Sequence, residues 1–136
     1  MKLTDKGRSP MIMYATLGTN DLPRAAAFYD VVLAPLGIAV IHESAEERGY
    51  GPKGSDIIHL YVTHPFDQNP STIGNGSMLA LTAQSRDAVD AFYAAGLAQG
   101  GRDEGAPGVR YSAHFYACYL RDPDGNKLSA VCDTPQ

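Results

Sequence analysis

Tryptophan is absent from this chain of 136 residues, and cysteine occurs only twice, at Cys118 and Cys132. Two cysteines do not make a disulfide framework, and their separation matches no zinc-binding pattern. Both lie in apolar, strand-like runs, where a reduced cysteine behaves as a small hydrophobic residue. We therefore expect two buried free thiols, and such thiols favour a cytoplasmic location.

Basic residues and long apolar runs are also scarce. Eleven Lys and Arg stand against fifteen Asp and Glu, which gives a net charge of −4, without the clustered basic face that nucleic acids require. No run approaches the roughly 20 apolar residues of a membrane helix, and residues 1–10 lack the apolar core of a signal peptide. We expect a globular chain that binds neither nucleic acid nor membrane, with residues 1–10 as a tail.

The chain contains an internal repeat with an offset of 64 positions. Under this offset the sequence Ala-Phe-Tyr at 27–29 falls on the same three residues at 91–93, and Gly37 falls on Gly101. The order of predicted elements is also shared, which is the stronger argument for two copies of one structural unit.

Each copy begins with a strand-like run, at 11–17 and 77–83, and continues with an amphipathic helix. Asn20 or Asp21 can cap the first helix and Ser85 the second. Shorter strands are predicted at 38–42, near 50, at 56–63, near 102, at 115–121 and at 127–132. The polar segment 65–76 is predicted as the connector, 122–126 as a hairpin turn, and 106–108 as an exposed loop.

Several motifs within these elements resemble the vicinal oxygen chelate superfamily of glyoxalases, bleomycin-resistance proteins and dioxygenases. The motifs are NDLPR at 20–24, FY at 28–29, LAPLG at 33–37, AVDAFY at 88–93, GG at 100–101 and RDPDGN at 121–126. The resemblance implies one domain at 11–133, with a first module at 11–64, a linker at 65–76 and a second module at 77–133. It implies an α+β fold of two βαβββ modules, whose curved mixed sheets surround a shared cavity, and usually a homodimer.

Members of the superfamily commonly bind a divalent metal through His, Gln or Glu in the first and last strands of each module. Here those positions fall on Tyr14, Met78 and Ser129, and the fourth falls on His59 or Tyr61, depending on the register of 56–63. A phenol, a thioether and a hydroxyl are poor ligands for such a cation. We therefore expect neither a metal nor another cofactor.

Tyrosine and methionine at these positions would leave a cavity that is apolar with polar tips, which suits an organic ligand. In the resembling proteins the stretch before the penultimate strand lines the mouth of the cavity. Here that stretch contributes Arg110, His114 and Tyr116; Arg110 could meet an anionic group, although an exposed arginine at a loop edge is usually just solvated. If the strand alternates regularly, His114 and Tyr116 share one face and Tyr119 faces the other way.

The predicted site thus comprises eight residues: Tyr14, His59, Tyr61, Met78, Arg110, His114, Tyr116 and Ser129. The leading hypothesis is a metal-independent member of the superfamily that binds a small organic molecule. If it is a lyase or oxidoreductase, His59 and His114 are the candidate acid–base residues. The alternatives are a metal-dependent lyase or dioxygenase, and a non-catalytic structural or regulatory dimer.

Overall fold

The computed structural model describes residues 11–135, so the predicted tail at 1–10 lies outside it. The chain forms two four-stranded sheets, each with one helix. The elements are β1 (Ala15–Gly18), α1 (Leu22–Val32), β2 (Ile38–Glu43), β3 (Glu47–Pro52), β4 (Leu60–Thr63), β5 (Leu79–Thr82), α2 (Arg86–Ala98), β6 (Arg102–Val109), β7 (Phe115–Arg121) and β8 (Lys127–Asp133).

The two sheets have the same topology. The first sheet has the order β1-β4-β3-β2 and the second β5-β8-β7-β6. In each, the first strand runs parallel to the last strand of its unit, and the other pairs are antiparallel. Strands β1 and β5, helices α1 and α2, and strands β2 and β6 each begin 64 positions apart, which confirms the predicted α+β fold of two βαβββ units.

The helices begin where local sequence chemistry dictates. The side chain of Asp21 accepts the backbone N–H of Arg24, and the side chain of Ser85 accepts that of Ala88, so each satisfies one of the unpaired donors of a first helical turn. Pro35 prevents α1 from continuing, and residues Ala34–Leu36 form a short 3-10 helix. Neither helix in the described part of the chain is long and apolar enough to cross a membrane.

Each sheet packs one face against the helices, and nothing in residues 11–135 forms a covering layer on the other. Leu60 and Val62 of the first sheet and Leu128 and Ala130 of the second belong to one buried cluster with residues of α1 and α2. Because side chains alternate across a strand, residues between these positions lie on the opposite face. We call that second face the open face of each sheet.

Three predicted segments differ in extent. Strand β1 begins at Ala15 and β4 at Leu60, so the residues before them, at 11–14 and 56–59, lie outside the ladders. Segment 106–108 is not a loop: it lies within β6, where the pairing with β7 is interrupted between Gly105 and Gly108. A proline in an edge strand is tolerated at such an irregularity. The segment was predicted to be a loop because its composition is typical of a turn.

A buried carboxylate in the β7–β8 hairpin joins the two units. Asp122 is 3% exposed and accepts hydrogen bonds from the Tyr29 hydroxyl of α1, the Asn126 amide and the backbone N–H groups of Asp124 and Asn126. The amide of Asn126 also donates to the carbonyl of Gly18 at the end of β1, at 2.9 Å. A buried charge persists only when it is this fully hydrogen-bonded.

A second carboxylate of the same turn extends the contact. Asp124 accepts from the Thr19 hydroxyl at 2.6 Å, the Asn20 backbone N–H at 2.9 Å and the Arg24 guanidinium at 2.8 Å. Together, Asp122, Asp124 and Asn126 with Thr19 and Tyr29 form what we call the inter-module clamp. The clamp docks the hairpin of the second unit on the β1–α1 junction of the first.

Removing the central carboxylate should destabilise the whole protein. Asp122→Ala leaves the Tyr29 hydroxyl and the Asn126 amide buried without their acceptor, so we expect a loss of about 3 kcal/mol in the free energy of unfolding. Urea denaturation measures it. The control Asp133→Ala, at the exposed end of β8, should change that free energy by at most about 0.5 kcal/mol; equal effects of the two substitutions would contradict the role of the clamp.

Two buried groups should make the fold sensitive to alkaline pH. Burial raises the pKa of the Cys118 thiol from 9.0 to about 11, and burial together with Asp122 raises the pKa of Tyr29. Because the folded state holds both groups protonated, their stabilisation is complete below the unfolded pKa and is lost as pH rises towards the folded pKa. Between about pH 8 and 10.5 we expect the free energy of unfolding to fall by about 2 kcal/mol, and by less in Cys118→Ala. Urea denaturation at both pH values would show no difference if this account were incorrect.

Candidate functional site

A concave groove runs between the start of β1 and strand β5. Its volume is about 720 Å³, within the range of small-molecule sites. Most of the lining is aliphatic or aromatic, and the polar side chains other than the buried Tyr50 are those of Tyr14, His59, Thr82 and Gln84. We call it the β1–β5 groove.

Three of the predicted site residues meet at the first-sheet side of this groove. Tyr14 and His59 line it, and the ring of Tyr61 packs edge-on against that of Tyr14, with centroids 5.3 Å apart. Tyr61 lies between the buried residues Leu60 and Val62 and therefore on the open face. His59 comes directly before β4 and two positions before Tyr61. The sequence left open which of these two residues occupies the fourth ligand position, and both lie here.

The contact that His59 makes determines its tautomer. Its Nδ1 lies 3.1 Å from the carbonyl oxygen of Met13, and since a carbonyl can only accept, Nδ1 carries the proton. In the neutral ring Nε2 is then free of a proton and can accept one. His59 can therefore act as a hydrogen-bond acceptor or a base in the groove.

Met78 and Ser129 belong to the second sheet. Met78 directly precedes β5 and is partly exposed, and its neighbours Leu79 and Ala80 line the groove. Ser129 lies opposite Ala80 in the β5–β8 ladder. Its side chain is fully buried, and its hydroxyl finds no hydrogen-bond partner in residues 11–135.

Arg110 lies over the same sheet, beside Tyr119. The sequence placed Tyr119 on the face opposite to that of His114 and Tyr116. Its guanidinium is 5.5 Å from the ring centre of Tyr119, and it donates to the carbonyl oxygen of Ala106 at 2.7 Å. Tyr119 pairs with Ser129 across β7 and β8. Burial, with Tyr111 nearby, raises the pKa of the Tyr119 hydroxyl, so this phenol remains a neutral donor.

Tyr116 and His114 do not join these residues. The Tyr116 hydroxyl donates to Asp90 of α2 at 2.7 Å, and Arg86 lies over its ring, so Tyr116 is on the helix-packed face. His114 is exposed in the turn before β7. Side chains do alternate along β7, but the prediction assigned Tyr116 to the site, whereas Tyr119 is the tyrosine on the open face. Tyr119 is placed on the open face because it alternates, like Phe115 and Ala117, with the core residues of β7.

The residues at the superfamily's ligand positions do not fit a divalent metal. They present a phenol, a thioether and a buried hydroxyl at Tyr14, Met78 and Ser129, and only His59 offers a strong donor. No group of three or more His, Cys, Asp or Glu side chains that could hold a metal ion occurs in the described range 11–135. One imidazole alone does not hold a metal usefully.

Two βαβββ units with helices on one side and open faces on the other define the glyoxalase-like class of α+β folds. The Glyoxalase/Bleomycin resistance protein/Dioxygenase superfamily profile matches residues 11–129. The chain belongs to this superfamily. A comparison with curated proteins found no significant match.

Solved structures agree with this assignment. A glyoxalase/bleomycin resistance protein from Albidiferax ferrireducens T118 is 41% identical, with a TM-score of 0.80, 90% of this chain covered and 98% of that one. A glyoxalase/bleomycin resistance protein/dioxygenase family enzyme from Burkholderia phytofirmans PsJN is 23% identical, with a TM-score of 0.69, 90% of this chain covered and 98% of that one. A lactoylglutathione lyase from Agrobacterium tumefaciens is 22% identical, with a TM-score of 0.64 and coverages of 91% and 94%. The last two similarities concern the fold alone.

Proposed function

We propose that this protein binds a small, apolar or partly aromatic organic molecule in the β1–β5 groove. The observation that carries the proposal is that Tyr14 and His59 line a largely apolar groove and that the ring of Tyr61 packs edge-on against Tyr14. An aromatic pair supplies contact area for a flat ligand, and one imidazole orients a polar substituent. On the side of β5, Met78 directly precedes the lining residue Leu79, and Ser129 pairs with the lining residue Ala80.

Binding is proposed to be independent of a metal, because the donors at the superfamily's ligand positions are chemically unsuited to one. Any catalysis would then be acid–base chemistry. His59 is the better placed of the two histidines, since it lines the groove with Nε2 free to accept a proton, whereas His114 lies in an exposed turn. Whether the bound molecule is turned over or only sequestered depends on its own chemistry.

A homodimer is also proposed, with the segment before β1 in its interface. Met11, Ile12 and Met13 are 95%, 65% and 74% exposed, and three consecutive exposed apolar side chains favour a protein contact. Sedimentation should give twice the chain mass of 14.5 kDa, and Met11→Glu should shift it towards the monomer. A monomer in the unmodified protein would refute the proposal. The two free thiols, Cys118 and Cys132, support the proposed cytoplasmic location.

Loss of one ring of the aromatic pair should weaken ligand binding. In a thermal-shift screen with neutral aromatics such as 2-naphthol, we expect the unmodified protein to melt at a higher temperature with ligand. Tyr14→Ala should weaken the affinity at least about tenfold, since losing the contacts of one aromatic ring costs about 1.4 kcal/mol or more. Phe66→Ala removes an exposed ring outside the groove and should bind as the unmodified protein does. If no aromatic compound raises the melting temperature, the groove is not a site for such ligands.

A further inference from the structure

The open face of the second sheet carries an excess of positive charge. Arg121 and Lys127 are directly opposite each other at the hairpin end of the β7–β8 ladder, and like charges in that position destabilise a sheet. Arg121 is neutralised by Glu104 of β6, at 3.2 Å. Lys127 forms no ion pair with a carboxylate in residues 11–135.

A second unneutralised cation lies beside it. Arg110 donates only to the backbone carbonyls of Ala106 and Ala117, and it too lacks an ion pair within the described chain. The Arg110 guanidinium and the Lys127 ammonium lie 5.5 Å and 5.8 Å from the ring centre of Tyr119. Two cations thus flank one aromatic ring on a surface that neither helix of the described chain covers.

The surroundings of this ring suit an aromatic anion. Tyr111 and Phe115 form an edge-on pair with centroids 5.1 Å apart, and Phe115 shares the open face with Tyr119. The carboxylate of Asp133 is on this face too, directly opposite Phe115, but it is six residues from Lys127 along β8, about 20 Å at the usual strand rise. The buried Ser129 hydroxyl opposite Tyr119 still lacks a partner, and such a group in a native protein calls for an explanation.

We propose that Arg110, Lys127 and Tyr119 form a binding site for the anionic group of an aromatic carboxylate or comparable aromatic anion. The two cations neutralise the acid group, and the rings of Tyr111, Phe115 and Tyr119 contact the aromatic body. None of these residues lines the β1–β5 groove, so the site goes beyond the groove and selects ligands by charge, which an apolar lining cannot do. A neutral aromatic lacks the interaction that this site provides.

A matched pair of ligands tests the charge requirement. Isothermal titration calorimetry compares 2-naphthoate with 2-naphthamide, which has the same rings and no charge. We expect the unmodified protein to bind the carboxylate about tenfold more tightly, and the difference to shrink in high salt as the charges are screened. Lys127→Gln and Arg110→Gln should each reduce the preference to about twofold or less.

Lys53→Gln is the matched control, because it removes an equal charge from an exposed position directly after β3, in the first unit. It should keep the full preference. Lys127→Gln breaks no hydrogen bond seen in the structure, so it remains informative even if Arg110→Gln fails to fold. Equal affinities for the two ligands, a preference that survives both substitutions, or no binding of either ligand would each overturn the anion site. Binding of 2-naphthol that depends on Tyr14 reports separately on the groove.

Discussion

The inter-module clamp is the interaction on which the arrangement of this protein depends. Two carboxylates from one five-residue turn, Asp122 and Asp124, accept hydrogen bonds from the end of β1 and from α1. Burying such groups is costly unless every acceptor site is used. The hairpin therefore has one docking position, and that position sets β5 beside the start of β1. The groove between β1 and β5 therefore depends on the inter-module clamp as well as on the apolar side chains that line it.

Local chemistry made much of the fold predictable. Both helices, the caps Asp21 and Ser85, the proline break and the hairpin follow from residues within a few positions of each other. The repeat then predicted that the two units are equivalent. What escaped prediction depends on distant contacts: the irregular pairing that keeps 106–108 in β6, and the partners of Asp122, which are 93 positions away in the case of Tyr29. A turn motif shows that the chain reverses, but not which surface its carboxylates will meet.

The candidate site was predictable in part for the same reason. Tyr14, His59 and Tyr61 come together because the parallel pairing of β1 and β4 follows from the family fold. Tyr116 was placed with them because the phase of β7 could not be read from a strand rich in aromatic residues on both faces. Once Tyr116 is seen to bind Asp90 of α2, alternation brings Tyr119 to the open face. The aromatic and cationic character of the second sheet becomes visible only then.

The superfamily fold is thus retained here, and the side chains predicted at its metal-binding positions include a phenol, a thioether and a hydroxyl. The proposed consequence is a protein that recognises an organic molecule by apolar contact and charge. Elemental analysis tests this most directly, on protein produced with added zinc, nickel, manganese and iron and purified without a chelator. The account predicts far less than one metal ion per chain. One metal ion per chain, lost on His59→Ala, would contradict it.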